Sequence, residues 1–222
     1  MKYKQLIVVM IMACMVSACK TTGEATADET TTAKTTVTSK HPCLDLGIYE
    51  KSGVDELGLT ELLKQAKSGN PCAQNEMGRR LGVGEGVEIN SEESFAWYKK
   101  SAAQGLAIGQ VNLAYMYFKG EGTRKDLEQA KYWFLQAANQ GHFEGQRMLG
   151  YMYITGTGVE KDGKEAEKWY LQAANQGHVD SQYSLHYMYA NGDGVEKDEG
   201  KAVMWLHRVR DARLYGEVWK KK

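Results

Sequence analysis

Proline is nearly missing from this chain: 2 residues in 222, against 24 glycines. That balance excludes a collagen-like rod and favours helices ended by tight glycine turns. Net charge is missing too, since 28 basic residues face 28 acidic ones. Without a positive excess, the composition argues against a nucleic-acid binder and against a polybasic membrane surface. The longest apolar run, residues 6–16, holds 11 residues, well short of the ~20 that carry a helix across ~30 Å of hydrocarbon. The 4 cysteines include no CxxC pair, so neither a zinc ribbon nor a dithiol redox motif is indicated. The 5 histidines show no HExxH or comparable ligand spacing, and no metal or cofactor site is expected. Ser-x-x-Lys occurs once, at Ser17-Ala18-Cys19-Lys20. No other nucleophile–base pair stands out, so no catalytic residue is expected.

What is present begins with a leader. Met1-Lys2-Tyr3-Lys4 is a short basic stretch ahead of the apolar run, the order of a secretory leader over residues 1–18. The run ends in Val16-Ser17-Ala18-Cys19. This resembles the bacterial lipobox, in which small residues precede a cysteine that is acylated and becomes the mature N-terminus. The resemblance implies lipidation of Cys19 and membrane attachment through that anchor. Loss of the leader would remove Lys2 and Lys4 and leave 26 basic against 28 acidic side chains. Residues 19–40 follow as a tether: nine of the 21 residues from 20 to 40 are threonine and Val37 is the sole large apolar one. Such a segment buries too little to offset its ordering entropy, and as a flexible coil it would span roughly 25 Å. Lys20, rather than aspartate, follows the cysteine. By resemblance to enterobacterial sorting, the destination is the outer membrane facing the periplasm, with cell-surface exposure as the alternative.

The strongest signal is a period. Trp97, Trp133, Trp169 and Trp205 are each 36 residues apart. Gly69, Gly105, Gly141 and Gly177 keep the same step, as do Gly84, Gly120, Gly156, Gly192 and Gly86, Gly122, Gly158, Gly194. Residues 69–212 therefore divide into four units without an insertion, the mark of stacked supersecondary units. Each unit reads as two helices. In the third, helix A covers residues 144–153, the Gly156-Thr157-Gly158 turn stops it, and Asp162 caps helix B with Glu165 as its capping-box partner. Asn90 with Glu93 and Asp126 with Gln129 repeat the box, whereas Asp198 has Lys201 in the partner position. Helix B carries Ala166, Trp169, Tyr170, Ala173 and Ala174 at spacings of three and four; the tryptophans are expected to fill the space between A and B.

These residues resemble a known family. Leu149-Gly150-Tyr151-Met152-Tyr153, Gly156-Thr157-Gly158-Val159, Lys161-Asp162, Trp169-Tyr170 and Ala173-Ala174-Asn175-Gln176-Gly177 look like the Sel-one-like repeat, a relative of the tetratricopeptide repeat. The likeness is strong over residues 105–210 and weaker over 69–104, where Arg79-Arg80-Leu81 replaces Tyr-Met-Tyr; His186 stands where the other units have Gly78, Ala114 and Gly150. The resemblance implies an all-α, right-handed α-solenoid of helix-turn-helix repeats with a capping helix at each end. The N-terminal cap is placed in residues 41–68, on Leu57, Leu59, Leu62, Leu63 and Ala66, starting near Asp55 or Thr60. The C-terminal cap is placed in residues 213–222, as a short helix of Leu214, Tyr215, Val218 and Trp219 ending in Lys220-Lys221-Lys222.

With Cys14 in the leader and Cys19 lipidated, Cys43 and Cys72 remain in an oxidising compartment. Helical phase puts Cys72 on the solvent side of the first helix A, within reach of the segment carrying Cys43. A bridge closing about 30 residues would contribute roughly 3–4 kcal/mol; two free thiols are the alternative. On helix A, one position reads Arg79, Tyr115, Tyr151, Tyr187, with Ile108, Glu144, Arg147 and Tyr183 nearby. In related solenoids helix A lines the concave face, and aromatics and arginine carry interface energy. These side chains either receive a partner or pack between repeats. The resemblance implies a monomeric, non-catalytic scaffold that binds a protein partner. A special case is an immunity protein against a periplasmic phospholipase-type effector of type VI secretion. A further alternative is a β-lactamase-like or cell-wall-fragment-binding enzyme, since a cysteine-rich branch of the family is associated with β-lactams; its paired cysteines within each repeat are missing here, and the one Ser-x-x-Lys straddles the leader cleavage site.

Overall fold

The computed structural model describes Cys43 and residues 58–219, with side chains through Asp211. Lipidation of Cys19, the tether, Asp55, Leu57, the side chains of Leu214, Tyr215, Val218 and Trp219, and the final lysines lie outside the described residues. Among those described there are nine helices and no strand: α1 (Leu59–Lys67), α2 (Pro71–Val83), α3 (Ser91–Ala103), α4 (Ala107–Lys119), α5 (Leu127–Asn139), α6 (Phe143–Thr155), α7 (Gly163–Asn175), α8 (Val179–Asn191) and α9 (Glu199–Trp219). Even-numbered helices are the A helices and odd-numbered ones from α3 are the B helices. Each packs on its neighbours in chain order, and α1 stands against α2 where a preceding helix B would lie.

Local chemistry explains the boundaries. Pro71 opens α2 behind Asn70, whose side chain accepts from the Cys72 and Ala73 amides. Asn90, Asp126, Asp162 and Asp198 accept from the amides of Glu93, Gln129, Glu165 and Lys201. The capping box expected at these ends is only half made. The N–H groups of the cap residues go instead to the carbonyls of Leu81, Tyr117, Tyr153 and Tyr189 in the preceding helix. That bond needs no glutamate, which is why Lys201 is tolerated. The start of α1 also differs from expectation, because Gly58 is the cap residue and no side chain caps it. At the other end α9 runs unbroken to Trp219, so the expected short tail helix is a continuation of the last helix B.

The two turn glycines do different work. Gly120, at φ 79°, closes α4 in the left-handed region with its N–H on the Met116 carbonyl. Gly122 also has positive φ, and a Cβ there would lie 2.0 Å from the Ser91 carbonyl oxygen of the preceding repeat. The second glycine therefore sets the distance between repeats.

Packing follows the repeat with local substitutions. Trp97, Trp169 and Trp205 are buried, but Trp133 is only partly so; its neighbour Phe134 is fully enclosed among Ala114, Ala130, Leu149 and Met152. Gly78 and Gly150 make room for the rings of Tyr98 and Tyr170, which would stand 2.8 and 2.7 Å from an added Cβ. In the fourth repeat Leu206 replaces that aromatic. His186 occupies the freed space and donates Nδ1–H to the Ala202 carbonyl at 2.9 Å. A glutamine ladder ties the layers. Gln74, Gln110, Gln146 and Gln182 each donate to an alanine carbonyl of the preceding helix, while Gln104, Gln140 and Gln176 donate to the first three at 2.7 Å. Ala212 stands where the fourth donor would be, and the buried Gln182 Oε1 has no partner among the described residues. Finally, Cys43 and Cys72 are joined, with Cα atoms 5.6 Å apart. Cys72 is buried rather than on the solvent side, because Cys43 and Leu106 cover it.

Candidate protein-docking face

The helix A stripe is not uniform, and the joints between repeats decide which side chains stay open. At its N-terminal end Arg79 is held by two carboxylates: Nη2 is 2.7 Å from Glu76 and Nη1 is 2.7 Å from Glu85. These hydrogen bonds raise the Arg79 guanidinium above its ordinary value. Glu76 is buried and also accepts from Arg80 at 3.1 Å. Ile108 packs against Cys43, Cys72 and Leu106. Neither Arg79 nor Ile108 is a free contact.

The second joint is closed by a polar network. The Tyr115 hydroxyl donates to Glu144, and Arg147 reaches both, at 2.7 Å from the hydroxyl and 2.7 Å from the carboxylate. Burial together with the bond to Glu144 pushes the Tyr115 hydroxyl far above the ordinary phenol value. Burial alone would raise the Glu144 carboxyl, but the bonds from Arg147 and Tyr115 outweigh it and hold the group low. Tyr115 also meets the Phe134 ring edge-on at 5.2 Å. Of the stripe residues, Tyr115, Glu144 and Arg147 thus fasten the second repeat to the third.

The last joint has no such lock. In the sequence Asp180 and Tyr183 stand at the positions that Glu144 and Arg147 hold one repeat earlier; the shorter acid and the missing guanidinium cannot rebuild the lock, and the Tyr151 hydroxyl forms no hydrogen bond among the described residues. Its ring leans on Phe118 at 6.2 Å and is 38% exposed. Tyr187 has no following helix A in the described chain and is 60% exposed, with Tyr183 stacked at 6.5 Å. The candidate face contracts to the exposed Tyr151 and Tyr187, with Tyr183 stacked beside the latter. A signal for the difference exists in the sequence: tyrosine followed 29 residues later by Glu and 32 later by Arg marks a lock, and only Tyr115 has both.

His178 is the titratable member of this region. It caps α8, accepting at Nδ1 from the Ser181 amide at 3.3 Å and from its hydroxyl at 2.9 Å, and its ring stacks on Phe143. Burial pushes the imidazole below its ordinary 6.5, partly offset by Glu144 and Asp180 and reinforced by Arg147. A protonated Nδ1 cannot accept, so the folded state resists the proton that the unfolded chain takes. The stabilisation is complete above 6.5 and is lost as pH falls through the folded value. Asn70 fills the equivalent position in the first repeat. Thermal melts from neutral pH to about pH 5 are expected to show a declining midpoint that His178→Asn flattens; an unchanged slope in the variant would remove His178 as its cause.

Stacked helix pairs of fixed length, joined face to face through conserved-geometry rungs, define an α-solenoid scaffold. The chain belongs to the Sel1 repeat family, whose profile matches residues 73–106, 107–142, 143–178 and 179–208. Among solved structures, it is similar to a protective antigen of uropathogenic Escherichia coli strains displaying an SLR fold, at 36% identity and a TM-score of 0.68 over 69% of this chain and 33% of that one. A Sel1 repeat protein from Oxalobacter formigenes is similar at 36% identity and a TM-score of 0.66 over 69% of this chain and 63% of that one. A putative sel1-like repeat-containing protein of Acanthamoeba polyphaga mimivirus shares 40% identity over 55 residues, 25% of this chain and 10% of its own length. This chain thus spans less than two thirds of each of these relatives. Sel1 repeat proteins are generally protein-interaction scaffolds, and the fold is typically non-catalytic.

Proposed function

We propose that this protein is a non-catalytic scaffold, lipid-anchored through Cys19 in the bacterial envelope and facing the periplasm, that docks a protein partner on the open tyrosines of its last two A helices. One observation carries the reading: Tyr151 and Tyr187 are 38% and 60% exposed on the helix A side, while their counterpart Tyr115 is consumed by a joint. Exposed aromatic rings whose hydroxyls form no hydrogen bond among the described residues are side chains that gain much from a protein surface. The polar first half of the face supports the same division, since its charges are already paired. Crosslinking in intact envelopes, followed by capture with the tether preserved, is the test; the partner should be crosslinked from Tyr187 and not from Arg79. The anchor is tested separately. Cys19→Ser should release the chain from membranes and abolish acyl labelling, and labelling that persists would contradict the anchor.

A further inference from the structure

The N-terminal ends of the A helices form an edge away from the tyrosine face. At the first joint this edge is covered by the chain itself: Cys43, fully buried, sits against Cys72 and Leu106, with Ile108 beside them. Two repeats further on, the corresponding residues are Glu144, His178 and Asp180. Among the described residues no segment crosses this edge as Cys43 does at the first joint, and of the three only Asp180 is exposed. A hollow of about 370 Å³ opens there, lined by Phe143, Gln176, Gly177, His178, Val179 and Asp180. Phe143 is 43% exposed even though its faces stack on His142 and His178 at 5.3 and 4.9 Å.

The charges of the hollow select the occupant. Glu144 is committed to Arg147 and Tyr115. The Asp180 carboxylate is exposed and forms no ion pair among the described residues. Its place in the first turn of α8 suits the helix dipole but does not account for the apolar wall beside it. The exposed edge of the Phe143 ring, whose faces are taken by the two histidines, and Val179 offer a surface for a methylene stem, and Asp180 offers an acceptor at the rim.

We propose that this hollow takes a long basic side chain, arginine above all, presented by an extended segment of a partner protein. The stem would lie along Phe143 and Val179 and the guanidinium would pair with Asp180, the division of labour that long cationic side chains use at half-apolar surfaces. The site rests on the scaffold reading but is independent of the tyrosine face.

The probe is acetyl-Ala-Arg-Ala-amide, titrated into the whole ¹⁵N-labelled chain, with the Glu and norleucine peptides as controls. Amide shifts should centre on Phe143 and residues 177–180. The Glu peptide should give none, and the norleucine peptide should bind more weakly. Asp180→Asn should weaken the Arg peptide by about fivefold, the loss of one exposed ion pair. Phe143→Ala should weaken both the Arg and norleucine peptides, while Tyr187→Ala should change neither. Equal response to the Glu peptide, no response at all, shifts confined to Tyr183 and Tyr187, or an Asp180→Asn variant that binds as before would each overturn the proposal. Failure of the tyrosine-face reading would leave these titrations unaffected.

Discussion

Phe134→Ala is expected to cost about 3–5 kcal/mol of unfolding free energy, the range for emptying an aromatic site in a close-packed core. Phe134 is 0% exposed, between Ala114 and Ala130 and against Leu149 and Met152 of the next repeat, so its loss opens a cavity shared by two units. Trp133 beside it lies on the repeat's tryptophan position but is only partly buried, and Trp133→Ala should cost clearly less. Denaturant titration of both variants decides the order. A larger cost at Trp133 would mean that the second repeat is packed as the tryptophan period alone implies. Because neighbouring repeats support one another, the loss at Phe134 should also lower protection in α4 and α6 before it reaches α2.

Gly122→Ala should be the second severe change. It carries the left-handed strain of an alanine at φ 65° and also drives a Cβ to 2.0 Å from the Ser91 carbonyl oxygen. Strain alone is worth ~1–2 kcal/mol, and the backbone clash must add to it by forcing two repeats apart. Gly86→Ala is the internal control: its φ is 71°, yet nothing lies within 4 Å of an added Cβ. Gly86→Ala should show the strain and Gly122→Ala the strain plus the lost contact between repeats. Equal effects in denaturant titrations would reduce both glycines to simple turn residues.

Most of the architecture was legible because it repeats. The tryptophan and glycine periods placed the helix pairs, and Asp or Asn ahead of each helix B placed its start. The pairing of Cys43 with Cys72 followed from which cysteines remained. What escaped was whatever depends on two units at once. The four glycines Gly86, Gly122, Gly158 and Gly194 look alike in sequence, but only those with a preceding repeat touch it closely. Tyr115, Tyr151 and Tyr187 share one repeat position, and their exposure is decided by residues about 30 positions later. His186 fits a place held elsewhere by glycine or alanine because Leu206, on the facing helix, is smaller than its counterparts Tyr98, Phe134 and Tyr170. Ile108 and Arg79 belonged to the stripe by phase, yet the disulfide segment and the Glu76–Glu85 pair had already engaged them.

The most direct test of the docking claim is the affinity of the crosslinked partner, once captured, for Tyr151→Ala and Tyr187→Ala, each measured alongside its own thermal midpoint. Truncating an interface hot spot costs ~2–4 kcal/mol, so binding should fall by roughly 30-fold or more while helicity and midpoint stay near those of the parent chain. Tyr115→Ala should show the reverse, a lowered midpoint with binding reduced only as far as folding is. Undiminished binding by Tyr187→Ala, or a loss that merely tracks the midpoint, would contradict the assignment of the open tyrosines as the docking face.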